Sequence, residues 1–161
     1  MKVIFLDRDG IVNKERGDYT WKKDQFEFTE NLFPFLRYWA ENGFKFIVIT
    51  NQGGINKGIY EHHDVLDLHE WMKSILTSEG IDLLDIYYCP HHSDKQKCLC
   101  RKPGSLLIEK ASAIHHVRLS ESIMIGDRER DVEAAQKIGL RGFLVDSNPN
   151  WDSIDLSSLI Q

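Results

Sequence analysis

The sequence of 161 residues predicts an α/β protein built on a parallel β-sheet with helices on both faces. Three observations carry this expectation. Short apolar runs rich in β-branched residues recur along the chain. Between them lie segments whose apolar residues fall at helical spacing. The short runs are nearly continuous in hydrophobicity rather than alternating, as expected of strands covered on both faces.

Val3 to Leu6 (VIFL) is the first strand run. A polar loop dotted with aromatic residues follows to about Thr29. Residues 31–41 predict a helix: Leu32, Phe35, Leu36 and Trp39 share a face, Pro34 suits the first turn and Gly43 stops it. Phe44 to Ile49 reads as a strand, and residues 51–59, rich in Gly and Asn, as a loop. Residues 61–79 form the longest helix candidate, with Val65, Leu68, Met72, Ile75 and Leu76 as its apolar stripe and Gly80 as its stop. Residues 86–88 are a strand ending at Cys89. Residues 105–115 predict a helix burying Leu106, Leu107, Ala111 and Ile114. A strand over 122–125, a helix over 129–138 and a last strand over 142–145 complete the alternation. The polar tail from Asn148 to Gln161 has room for one short helical turn. His62, His63, His115 and His116 read as exposed helix residues, and Trp39 and Trp71 as core.

The length suits one domain over 1–161 with a real hydrophobic core. No apolar run approaches the ~20 residues of a membrane helix. The opening apolar run is too short for a signal peptide, so the expected location is cytoplasmic. A net charge of −5 argues against a large nucleic-acid footprint. Three cysteines cannot all pair, which favours a reducing compartment and metal-bound thiolates.

Ligands of open parallel sheets bind beyond the carboxyl ends of the strands, so function should lie in the residues just after each strand. The first strand is followed by Asp7-Arg8-Asp9-Gly10, and the second by Thr50-Asn51-Gln52-Gly53-Gly54. The third leads into a Cys/His loop and then Arg101-Lys102-Pro103. The fourth is followed by Gly126-Asp127-Arg128-Glu129-Arg130-Asp131. Carboxylates, a hydroxyl, a lysine and Gly-rich backbone gathered at one sheet edge fit phosphoryl transfer through an aspartyl phosphate. A carboxylate attacks an anionic phosphate only if cations offset the charge. Asp7 and Asp127 suit a shared Mg²⁺, a hard ion that takes a few carboxylates plus waters. A turn at Gly10 would swing Asp9 toward the leaving oxygen. Thr50 and the Asn51 and Gly53 amides suit phosphate oxygens, and Lys102 supplies positive charge.

FLDRDG, VITNQGG, CRKP and IGDRERD resemble the four motifs of the haloacid dehalogenase (HAD) superfamily of phosphatases, in order, over about residues 1–146. The resemblance implies a Rossmann-like three-layer sandwich with strand order 5-4-1-2-3. It implies Asp7 as nucleophile, and Asp9 as acid for the leaving alkoxide and then base for water. Mg²⁺ would be held by Asp7, Asp127 and the Asp9 carbonyl, its waters oriented by Asp131, and the phosphoryl group by Thr50 and Lys102. The gaps between motifs hold no cap domain, so the chain looks like an uncapped member.

Cys89-x-His91 and Cys98-x-Cys100 supply three thiols and an imidazole, a closed tetrahedral set for a structural Zn²⁺ that orders the loop 89–100. His92 is a rival ligand on sequence alone, and the family pattern selects His91. C-P-H with C-x-C-R-K-P resembles a subgroup containing heptose 1,7-bisphosphate and histidinol-phosphate phosphatases. Asn13, Gly54-Ile55 and Lys57-Gly58 lean to the former. The short gap before Cys98, the GDR form of the fourth motif and Asp146 to Trp151 lean to the latter. The preferred expectation is removal of the 7-phosphate of a heptose 1,7-bisphosphate by a monomer or weak oligomer. Arg101, Lys57 and Arg128 are candidate contacts for its second phosphate, although Arg128 replaces the Lys usual in the heptose group. Rival readings are histidinol-phosphate hydrolysis, a polynucleotide 3′-phosphatase and a zinc-stabilised binding module without activity.

Overall fold

The computed structural model describes residues 1–157 and 160. Positions 158, 159 and 161 of the predicted tail lie outside them. Five strands, β1 (Lys2–Leu6), β2 (Phe44–Asn51), β3 (Leu83–Cys89), β4 (Ile123–Gly126) and β5 (Arg141–Leu144), form one sheet in the order β3-β2-β1-β4-β5. All neighbours run parallel, which is the arrangement that the family resemblance implies. The helices are α1 (Leu32–Glu41), α2 (His62–Ser78), α3 (Leu106–Ile114) and α4 (Glu129–Gln136).

Period-two alternation along each strand divides the core into two. Ile4, Leu6, Phe46, Val48, Ile123 and Ile125 face α1 and α2. Val3, Phe5, Ile47, Ile49 and Met124 face α3 and α4. The result is a three-layer sandwich whose central strands are buried on both sides, hence their unbroken apolar runs. The α1 face is the one predicted: Leu32, Phe35, Leu36 and Trp39 are all buried. Gly43 and Gly80 follow their helices with positive φ, where a Cβ would be strained.

Four local expectations need correction. β3 begins at Leu83, three residues early, because it is an edge strand of mixed burial in which Asp85 interrupts the apolar run. In α3 the buried face is Leu107, Ile108 and Ala111. Leu106 and Ile114 sit at the helix ends and project outward, 42% and 54% exposed. His115 and His116 lie beyond α3 rather than in it, and His115 packs half-buried against Asp85 at 3.0 Å. Ile75 and Trp71 are only partly buried at the margin of the core.

The long loop after β1 is ordered by a 3₁₀ turn at Lys23–Gln25 and by isolated bridges Asp9–Asn13 and Asn13–Phe28. The expected turn in the tail is a 3₁₀ turn at Trp151–Ser153. Among the described residues there is no cap domain, and no helix is long and apolar enough to cross a membrane.

Candidate active site

Leu6 stands beside Val48 on one side and Ile125 on the other, so the ends of β2, β1 and β4 open onto one crevice. Asp7 leaves β1 there, its amide donating to the Ile125 carbonyl at 3.0 Å. The Asp7, Asp127 and Asp131 carboxylates each present an oxygen within 4.8 Å of the others. Lys102 is fully buried between two of them. Its Nζ lies 2.8 Å from Asp7 Oδ1, 2.7 Å from Asp131 Oδ1 and 2.7 Å from the Ile49 carbonyl. Burial, opposed by Lys102 and reinforced by Asp131 and Asp127, pushes Asp7 up to about 7. Burial works against the Lys102 charge, but Asp7 and Asp131 outweigh it and raise its pKa.

Asp127 Oδ2 accepts from Ser147 Oγ, whereas its buried Oδ1 has no hydrogen-bond partner. An unpartnered carboxylate oxygen beside two further carboxylates is a donor set that fits a hard divalent cation. Two glycines permit the packing. A Cβ on Gly10, whose φ is +91°, would meet Asp127 Oδ2, and one on Gly126 would meet the Asp131 side chain. Asp131 also accepts the Arg128 amide at 3.1 Å, so it caps α4 while it pairs with Lys102. The pairing with Lys102 was not foreseen from sequence.

Asp9 is gripped by three donors. Oδ1 accepts from Arg8 Nη2 at 2.8 Å and Asn13 Nδ2 at 3.0 Å, and Oδ2 from Gln52 Nε2 at 3.1 Å. Burial would raise its pKa, but the Arg8 charge and the side-chain donors outweigh that and hold it below the usual value. Gln52 also donates to Thr50 Oγ1 at 2.9 Å and accepts from Tyr60 at 2.7 Å. Thr50 is buried, and its hydroxyl is engaged by this network. The Asn51 side chain brackets the Lys102 backbone, donating to its carbonyl at 3.2 Å and accepting its amide at 3.0 Å. Sequence reasoning gave Gln52 and Arg8 no role, because their contacts with Asp9 and His69 depend on how separate segments pack.

A cavity of about 400 Å³ opens over Asp7, Asp9 and Asp127. Arg101, Arg128 and Arg130 line it, with Glu15 and Asp18 from the loop after β1. Arg130 had not been singled out, whereas Lys57 is exposed and does not line the cavity. Arg101 is anchored by donating from Nη1 to the His91 carbonyl at 3.1 Å.

The Cys/His loop forms a second donor cluster. Cys89 Sγ lies 3.7 Å from Cys98 Sγ, 3.2 Å from Cys100 Sγ and 3.4 Å from His91 Nδ1, which is 3.2 Å from Cys100 Sγ. A Zn²⁺ with Zn–S of about 2.3 Å and Zn–N of about 2.0 Å needs a tetrahedron with edges of roughly 3.5–3.8 Å. The donor set fits zinc in type, number and scale. His92 faces away, with Nδ1 accepting the Asp94 amide at 3.1 Å. Burial, with Cys100 close by, pushes the Cys89 thiol far up.

A family model described as HAD-hydrolase-like matches residues 99–150. The chain is similar to a Photorhabdus laumondii subsp. laumondii protein named D-glycero-alpha-D-manno-heptose-1,7-bisphosphate 7-phosphatase, 38% identical over 152 residues, 90% of this chain and 82% of that protein. A Helicobacter pylori (strain J99) protein named for the beta anomer is 41% identical over 150 residues, 92% of this chain and 85% of that protein. Among solved structures, D,D-heptose 1,7-bisphosphate phosphatase from B. bronchiseptica, complexed with magnesium and phosphate, superposes with a TM-score of 0.85 at 27% identity. That match covers 95% of this chain and 85% of the other. Identity at this level over most of both chains, on the same fold, means that the chain belongs to the heptose 1,7-bisphosphate phosphatase family of HAD phosphatases.

Proposed function

We propose that this phosphatase removes the 7-phosphate of D-glycero-D-manno-heptose 1,7-bisphosphate through a phosphoryl-Asp7 intermediate. The observation that carries the reading is the Asp7–Lys102–Asp131 arrangement with Asp127 alongside, in which Asp7 and Asp127 line a cavity together with three arginines. A doubly phosphorylated sugar needs one cationic centre at the reacting phosphate and a second for the distal one. Lys102 meets the first need, and Arg101 with Arg128 or Arg130 the second. The names of the relatives point to the same substrate.

In the first step an Asp7 oxygen bonds to phosphorus, the phosphorus–oxygen ester bond breaks and the leaving oxygen takes a proton from Asp9. In the second, water attacks the phosphorus and gives a proton to Asp9, which releases inorganic phosphate and restores Asp7. Asp7, Asp127 and the Asp9 carbonyl would hold Mg²⁺, which offsets charge on the phosphoryl oxygens. Thr50 and the Asn51 amide would hold phosphate oxygens. Asp131 would orient water on the metal while it fixes Lys102. Cys89, His91, Cys98 and Cys100 would hold a structural Zn²⁺, and the chain would act as one phosphatase domain.

Glu15 and Asp18 on the cavity wall favour a second reading, because the ammonium group of histidinol phosphate would seek a carboxylate. Phosphate release from both compounds with Mg²⁺ tests the proposal. Asp7→Asn is expected to abolish turnover while the fold persists. An active Asp7→Asn protein would overturn the nucleophile, and preference for histidinol phosphate would overturn the substrate.

A further inference from the structure

Arg8 is a completely buried charge whose ion-pair partner among the described residues is Asp9. Burying a guanidinium is unfavourable unless it is paired and its donors are satisfied. Its position between the two aspartates of the first motif therefore needs a reason. Its Nη2 forks between Asp9 Oδ1 at 2.8 Å and the Thr20 carbonyl at 2.6 Å. Its Nη1 reaches His69 Nε2 at 3.1 Å. A guanidinium only donates, so His69 Nε2 accepts and the ring carries its proton on Nδ1. Burial and the Arg8 charge push His69 down to about 3, which keeps it neutral.

His69 breaks the pattern of its helix. The buried face of α2 is otherwise Val65, Leu68, Met72 and Leu76. A polar ring on that stripe, itself buried, is spent on one contact with Arg8. The ring is steadied edge-on by Tyr88, with centroids 5.9 Å apart. The chain of contacts runs from α2 through His69 and Arg8 to the Asp9 carboxylate. Asn13 and Gln52 complete the grip, and Asp9 still lines the cavity.

We propose that Arg8, oriented by His69, is a positioning residue that fixes the Asp9 carboxyl where it meets the leaving oxygen. This rests on the reading of Asp9 as the proton donor, which requires Asp9 to take up a proton before the ester bond breaks because the Arg8 charge favours its ionised form. A proton donor acts only within hydrogen-bond reach of the reacting group. A second layer that locks its rotamer is what such precision requires.

The test compares kcat/KM for two esters, because this parameter reports the phosphorylation half-reaction. One is the alkyl phosphate that the wild type turns over, heptose bisphosphate or histidinol phosphate. The other is p-nitrophenyl phosphate, whose leaving group departs without a proton. The readout is the ratio of the two. Asp9→Asn is expected to lower the ratio about a hundredfold or more, and an unchanged ratio would refute Asp9 as the donor. With that control passed, His69→Leu is expected to lower the ratio about tenfold, and His69→Gln, which keeps an acceptor, to restore most of it. Arg8→Lys keeps the charge but cannot span both Asp9 and His69, so it is expected to lower the ratio whether or not His69→Leu folds. Parallel losses on both esters, or a His69→Gln protein as impaired as His69→Leu, would overturn the positioning role.

Discussion

Asp7 shows how a single side chain is set by its surroundings. Burial raises it from 3.8 to about 7 even with Lys102 in contact, so the folded protein favours its protonated form. The stabilisation that this gives is complete below about pH 4 and is lost as pH rises through about 7. A bound cation favours the carboxylate instead, so protons and Mg²⁺ compete. The thermal stabilisation by Mg²⁺ is expected to grow between pH 5 and pH 8 and to lose that dependence in Asp7→Asn. A Mg²⁺ effect in the wild type that is flat with pH would count against the site. Asp7, Asp9 and Asp127 were legible in the sequence because they come just after strands, and Lys102 through the CRKP motif beyond the Cys/His loop. Their partners were not. Nothing in the local pattern says that Lys102 pairs with Asp131 as well as Asp7, or that Gln52 grips Asp9, because these contacts join residues 29 to 95 positions apart.

At the scale of the element, α3 and the Cys/His loop teach opposite lessons. In α3 helical spacing gave the helix but not the face it buries, since that depends on how the helix lies on the sheet. Ile108→Ala is expected to cost about 2–5 kcal/mol through the cavity it leaves. Leu106→Ala should stay within about 0.5 kcal/mol. Denaturant titration measures both, and equal costs would contradict the packing. In the loop, spacing brought three cysteines and a histidine together, because donors within twelve residues are close in any compact conformation, and the family pattern chose His91 over His92. Elemental analysis should find about one zinc per chain. Chelation is expected to speed amide exchange over residues 90–101 and to lower kcat/KM, since Arg101 hangs on the His91 carbonyl and Lys102 comes directly after it. Exchange in β1 and β4 should not change. A metal-free protein with the loop still protected would refute the zinc.

Across the whole molecule, the segment around Trp151 closes the core. Trp151 is 2% exposed, donates from its indole to Thr29 Oγ1 at 2.7 Å and packs on Phe35 with ring centroids 4.4 Å apart. It pins the last segment to α1 and to the loop that walls the cavity. Trp151→Ala is expected to cost about 3–5 kcal/mol, lost in one cooperative transition. A separate early transition of the tail would show that it is an appendage. The sequence by itself determined the layer architecture, the order of the elements and which acids, lysine and thiols are candidates for the two sites. These depend on local periodicity and on which residues come after each apolar run, and both are written along the chain. Only the tertiary structure decided the buried face of α3, the Asp131–Lys102 pair, the Arg8–His69 support of Asp9 and the place of Arg130 on the cavity wall. Each of these depends on the distance between segments remote in sequence, which packing fixes and local pattern does not encode.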